Sequence, residues 1–282
     1  MTKKYWQAAV LSAGLAFSAQ AWAAGAKLPE TTVQYDSYQA KINAQRIAPA
    51  GAGKRPAIIL IHDKEGLTAG MKEIGQEFAA AGYIVYMPDL TSRPDMRKKM
   101  GNTPMGEMGG MRSPISRLNV ALTVADVDAA YDAVAKDPSV DATKISAVGI
   151  GWGGWRAYKL AADKPDLSKL VIFYGVTPDD GSVEGIKAQV QAHYAQGDFY
   201  TTTSSFITKQ WLGAKYTPYI YNDTYIGFFG GGSGNVDMAS AVGEGGVAEA
   251  AQQIKDSEAA RVRDDGPQSK KLAMERTLTF LK

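Results

Sequence analysis

The sequence predicts an α/β domain: a mostly parallel central sheet with helices on both faces. Three observations predict it. Short continuous apolar runs, among them "PAIILIHD" and "YIVYMPDL", read as strands buried on both faces, as a covered parallel sheet requires. Segments of helical spacing alternate with those runs, which is the rhythm of βαβ units. The 282 residues are 45% hydrophobic and 21% charged, enough for one domain with a full core and too few for two comfortable ones.

The first 23 residues read as lying outside this fold. "MTKK" is a basic start, "AAVLSAGLAF" a short apolar run, and Ala21-Trp22-Ala23 a small-x-small cleavage site, so a secretory signal peptide is expected. The apolar run is shorter than the ~20 residues that span a bilayer. Residues 24–282 are then a single domain in the periplasm, with no membrane span after processing. The absence of cysteine excludes a lipid-modified Cys, a disulfide and thiol chemistry. Lys3 and Lys4 are the only charged residues of the leader, and removing them takes the formal charge from +2 to zero. A neutral chain offers no electrostatic attraction for nucleic acid or an anionic membrane surface.

From Thr31 the elements follow in order. "TVQYDSYQAKINAQRIAP" suggests a hairpin or two edge strands, and Pro56 to Asp63 a buried strand. "MKEIGQEFAAAG" sets Ile74, Phe78 and Ala79 at helical spacing, with Gly82 ending the helix. "YIVYMPDL" is the next strand. Residues 91–116 are irregular, rich in Gly, Met, Pro and basic side chains. "RLNVALTVADVDAAYDAVAKD" is an amphipathic helix with Val120, Val124, Val127, Tyr131 and Val134 on one face. "KISAVG" and "KLVIFYG" are buried strands, "AQVQAHYAQGD" another, "SSFITKQWLG" a short helix, and "TPYIYNDTYIGFF" a last strand. "KLAMERTLTFL" closes the chain as a helix. The glycine-rich stretch from Gly230 to Gly246 reads as a loop.

Between "KISAV" and "WRAYKLAADK" lies "GIGWGG", the setting of a nucleophile elbow, the sharp strand-to-helix turn that carries a Ser or Cys. Its central position is Gly151. With its neighbours, the run "PAIILIHDKEGL…AAAGYIVYMPDL…GIGWGG…LVIFYG…AQGD…ERTLTFL" resembles the dienelactone hydrolase family of α/β-hydrolases, over roughly residues 33–282. The resemblance implies an α/β-hydrolase fold and a nucleophile, acid and histidine acting on a carboxylic ester or lactone. It places the nucleophile at Gly151, the acid at Asp198 in "YAQGDFY", and the histidine at Ile226. The only histidines are His62 and His193. The resemblance makes His62, in "IHD", a scaffold residue, and His193 sits inside a predicted strand. A nucleophile needs a base and an orienting third group. Only the carboxylate of that set is present, so the family mechanism is not expected here.

The cleft need not vanish with the triad. The N–H of Trp152 and one from the Asp63-Lys64 turn are expected to point at the oxyanion position, helped by the N-terminal end of the following helix. The resemblance puts Asp63 where the family has a Glu interacting with the nucleophile, and Arg93 near an arginine that grips the substrate carboxylate. A solvated loop charge is the alternative for Arg93. Asp63, Lys64, Arg93 and Trp152 are thus the expected ligand-binding set, for a small carboxylate, and no cofactor is expected. A periplasmic protein partner is the other occupant.

Met96, Met100, Met105, Met108 and Met111 gather half of the ten methionines in sixteen residues. Thioethers are soft ligands that select Cu(I), and Met is also a pliable filler suited to a flap over a cleft. A binder or scaffold is the leading expectation. A hydrolase using other groups (Asp63, Glu65, Asp198 or a bound metal) and a Cu(I)-binding protein using Met100, Met105, Met108 and Met111 are the alternatives.

Overall fold

In a computed structural model of the chain, the structure describes residues 27–94, 115, 118–222, 224, 227–230 and 266–282. The leader, the methionine group, Ile226 and most of the glycine-rich stretch lie outside the described residues.

Eight strands form one sheet in the order β1-β2-β4-β3-β5-β6-β7-β8. β1 (Glu30–Ser37) and β2 (Ala40–Ile47) are an antiparallel edge hairpin, and β2 pairs antiparallel with β4 (Ile84–Pro88). From β4 onward every pairing is parallel, through β3 (Arg55–Ile61), β5 (Val140–Ile150), β6 (Lys169–Phe173), β7 (Gln189–Ala195) and β8 (Tyr216–Tyr221). This arrangement is the α/β-hydrolase fold that the resemblance implies.

Period-2 alternation splits the buried strands between two cores. Ile59 and Ile61 face a core completed by α2 (Val120–Ala135), α3 (Trp152–Asp163) and α4 (Phe199–Leu212) through Val127, Tyr131, Leu160 and Leu212. Ile58 and Leu60 face the other, completed by α1 (Ala69–Ala80) and α5 (Gly266–Leu281) through Ile74, Phe78 and Met274. Side chains cap the helices where the sequence offers them: Thr68 receives Met71 N–H, Asn119 receives Leu122 N–H, and Asp198 receives Thr201 N–H.

Two elements differ from the expectation. Val120 is exposed, and the buried face of α2 begins instead with Thr123 and Asp126. Those two polar residues are buried because each has a long-range partner, Arg156 for Thr123 and Arg93 with Ser37 for Asp126. The last strand also ends early, at Tyr221. Gly227–Gly230 form a turn that tucks Phe229 against Phe173, ring centroids 3.6 Å apart.

Candidate functional site

The parallel strands all point their C-terminal ends to one edge, where α/β sheets bind ligands. There β3 delivers His62 and Asp63, β5 Gly151, β6 Tyr174 and β7 Asp198. Gly151 and Asp198 thus follow parallel strands with only β6 between them.

The turn at Gly151 is as sharp as an elbow. Its φ is 51° and ψ −115°, a region that costs a residue with a side chain about 1–3 kcal/mol and costs glycine little. Gly151 N–H donates to Phe173 O (2.9 Å) and its carbonyl accepts from Gly154 N–H (2.9 Å), locking both sides of the turn. Gly153 is equally constrained, since a Cβ there would strike the carbonyls of Ile61 and His62.

The space above Gly151 is filled. A Cβ at 151 would lie inside the Asp63 carboxyl group, overlapping Oδ1, Oδ2 and Cγ. Asp63 Oδ1 accepts two backbone N–H groups, from Lys64 (2.7 Å) and from Trp152 (2.8 Å). These are the two donors expected to form an oxyanion hole, and they do converge. The atom they converge on belongs to the protein. Burial raises the Asp63 pKa, and the two N–H groups and the Lys64 ammonium offset only part of that rise.

His62 holds this arrangement from behind. It is wholly buried, its Nδ1 donates to Asp63 O (2.7 Å), and its Nε2 accepts Leu90 N–H (3.2 Å). The two bonds require the neutral Nδ1–H tautomer, and burial lowers its pKa accordingly. Its ring stacks on Trp152, 5.9 Å between centroids. The scaffold role expected of His62 is the one its contacts give it. His193 is buried between Phe173 and the partners Tyr221, Gln191 and Thr277, a packed and hydrogen-bonded core residue.

Beside Asp63, the residues Glu65, Gly66, Thr68, Met71, Tyr174 and Gly230 line a cavity of about 10 Å³. That is room for about one water. Tyr174 spends its hydroxyl on Gly230 N–H (3.0 Å).

The remaining expected residues are placed as follows. Asp198 lies at the C-terminal end of β7, and both of its oxygens engage Thr201, as the cap of α4. Arg93 is 3% exposed, so it is not a solvated loop charge. Its guanidinium pairs with the protein's own Asp126 and also donates to the carbonyls of Ser37 (3.2 Å) and Tyr38 (3.0 Å). Ile226 and the five methionines lie outside the described residues, and among the described residues no group of three His, Cys, Asp or Glu side chains is spaced to hold a metal.

Reasoning from sequence missed Arg156, 6% exposed and lying over the Trp152 ring at 3.5 Å. The signal was present: Arg156 is four residues after Trp152, hence on the same helix face.

A sequence model of the dienelactone hydrolase family matches residues 42–254. The chain is 25% identical over 148 residues to a carboxymethylenebutenolidase homologue of Synechocystis, covering 52% of this chain and 56% of that one. A second such homologue, from Saccharolobus solfataricus, is 27% identical over 200 residues, 60% of this chain and 76% of that one. A third, from Methylorubrum extorquens, matches across 47% of its length, so the chain spans about half the length of several curated relatives. Among solved structures it superposes on a dienelactone hydrolase-like promiscuous phosphotriesterase from metagenomic libraries, with TM-score 0.65, 16% identity and coverage of 91% and 98% of the two chains. The dienelactone hydrolase of Anabaena variabilis gives TM-score 0.58, 15% identity and coverage of 82% and 97%.

Proposed function

The chain belongs to the dienelactone hydrolase family, and from that premise we propose that it is an exported, non-catalytic member whose oxyanion site is closed by its own Asp63. The observation that carries this reading is the Asp63 carboxylate, seated on the N–H groups of Lys64 and Trp152 in the space a side chain at 151 would need. Gly151 supplies no attacking atom, and Ile226 supplies no base at the position the family resemblance gives to histidine. A substrate carbonyl would also have to displace a carboxylate held by two charge-assisted hydrogen bonds, each worth about 1.5–3 kcal/mol.

The same observation reshapes the expectation of a small carboxylate ligand. The hole does suit a carboxylate, and one is built in. A ligand carboxylate at this point competes with a tethered one and finds a cavity of about 10 Å³. Binding or scaffolding is therefore assigned to other surfaces of the protein. Export rests on the basic, apolar and small-x-small order of residues 1–23.

The test is hydrolysis of dienelactone and p-nitrophenyl esters by the full chain, compared with its Asp63→Ala and Gly151→Ala variants. The reading predicts no turnover above the Gly151→Ala variant and no bell-shaped pH profile. Robust turnover that Asp63→Ala abolishes would overturn it in favour of a hydrolase using non-triad carboxyl groups.

A further inference from the structure

Between the antiparallel edge of the sheet and helix α2 lies a cavity of about 130 Å³. Its walls follow from the strand period. Val33 and Tyr35 share one face of β1, and Ala44 of β2 is the register partner of Val33. Ala44 pairs in turn with Pro88 of β4, and Tyr86 stands two residues before it. Over this part of the sheet α2 lays Ala130 and Ala133, three residues apart and so on one face. Toward the parallel strands the same helix presents Val127, Tyr131 and Val134. Ala44, Ala130 and Ala133 end at Cβ, and the space is the volume that larger side chains would have taken. Close-packed interiors rarely keep a void larger than a water molecule.

One polar group in this wall is unmet. Tyr35 lines the cavity and is 8% exposed, and its hydroxyl is buried without a hydrogen-bond partner. Buried hydroxyls are ordinarily paired, so this one calls for an acceptor or donor from outside the chain. The other tyrosine of the wall, Tyr86, already bonds Asp137 and Arg46. Water is a poor occupant, because a buried water takes about 2–4 polar partners and the buried side chains of the wall offer one. Gln34 is exposed and Val33 and Ala133 are half-buried, which marks the entrance. Burial, and then the Asp126 and Asp89 carboxylates, hold the Tyr35 pKa well above its usual value, against a smaller opposing effect of Arg93. The hydroxyl therefore keeps its proton at neutral pH, and the field around it opposes an anionic ligand.

We infer that this cavity binds a small neutral monocyclic phenol, its ring over Ala44, Ala130 and Ala133 and its hydroxyl paired with that of Tyr35. The volume sets the size, since an apolar cavity of roughly 150 Å³ holds one benzene ring. Two tyrosine rings in the wall favour a flat aromatic ligand over a branched chain. A phenol adds one group that both donates and accepts, which a single tyrosine hydroxyl can meet. The cavity belongs to β1, β2 and β4, whereas Asp63 and Gly151 follow β3 and β5. The inference therefore stands whether or not the protein hydrolyses esters.

Titration calorimetry of the full chain with phenol, benzene and benzoate tests the inference. The expected result is saturable one-to-one binding of phenol, weaker binding of benzene and none of benzoate. Tyr35→Phe keeps the ring and removes the hydroxyl, so it should weaken phenol about two- to tenfold and leave benzene unchanged. Ala133→Leu fills the space from its half-buried entrance and should abolish binding of both. If Ala133→Leu does not fold by circular dichroism, the Tyr35→Phe comparison decides alone. Absence of saturable phenol binding, equal phenol binding by the wild type and either folded variant, or benzoate binding as tight as phenol overturns the inference.

Discussion

The two sides of Trp152 treat buried charge in opposite ways. On its N–H side the Asp63 carboxylate receives two backbone donors and blocks the position a nucleophile would need. On its ring side Arg156 has a hydroxyl, a carbonyl and an aromatic face, and no carboxylate among the described residues. The first charge is held by backbone donors, and the second by neutral oxygen acceptors and a ring face. The space above the strand-to-helix turn at Gly151 is thus filled by a protein carboxylate.

Arg93 and Asp126 supply the yardstick for a matched pair, since both are almost fully buried and bonded to each other. Arg93→Met leaves the Asp126 carboxylate without its cation and is expected to cost about 3–5 kcal/mol, read as a fall in the urea midpoint. Arg156→Met strands no carboxylate among the described residues, so about 1–2 kcal/mol is expected, from lost cation–π and hydrogen-bond contacts. Equal losses in the two variants would break the distinction between matched and unmatched arginines. Asp63→Ala falls between them. It strands the N–H groups of Lys64 and Trp152, for an expected loss of about 2–3 kcal/mol in the same measurement.

Much of this arrangement was legible in the sequence, and the reason is local. Apolar runs of strand length announced β3, β4, β5 and β6, and the spacing of Ile74 and Phe78 announced α1. The elbow at Gly151 and the inward N–H of Trp152 follow from a strand-turn-helix pattern within ten residues. What occupies the hole was not legible, because Asp63 and Trp152 are 89 residues apart and only the fold brings them together. Arg93 read as a carboxylate-gripping arginine or a solvated loop charge for the same reason, its partner Asp126 lying 33 residues on. Thr123 and Asp126 sit on the buried face of α2 against the hydropathy pattern, since each is satisfied by an arginine that periodicity does not see.

A pH-dependent effect comes from the two histidines, which the fold buries in the neutral form. Burial holds His193 at about 3, against about 6.5 in an unfolded chain. The unfolded state therefore takes up the proton first as pH falls. Stability from this residue is intact above about 6.5 and is lost at about 1.4 kcal/mol per pH unit as pH falls toward 3. His62, also lowered by burial, acts in the same direction. Urea midpoints between pH 7 and 4.5 should fall less steeply in His193→Gln by about one proton. An unchanged slope would mean that His193 is already protonated in the folded protein.

The central claim is that Asp63 and the side-chain position of residue 151 compete for one space, and a double-mutant cycle tests it most directly. Gly151→Ala, Asp63→Gly and the double variant are compared by urea unfolding at pH 7. The backbone strain of alanine at φ 51° is present in both backgrounds and cancels in the cycle. The account predicts that Gly151→Ala is strongly destabilising when Asp63 is present and much milder when it is absent, with a coupling of about 1 kcal/mol or more. Additivity within about 0.3–0.5 kcal/mol would contradict it, for then the carboxylate does not occupy the nucleophile's place.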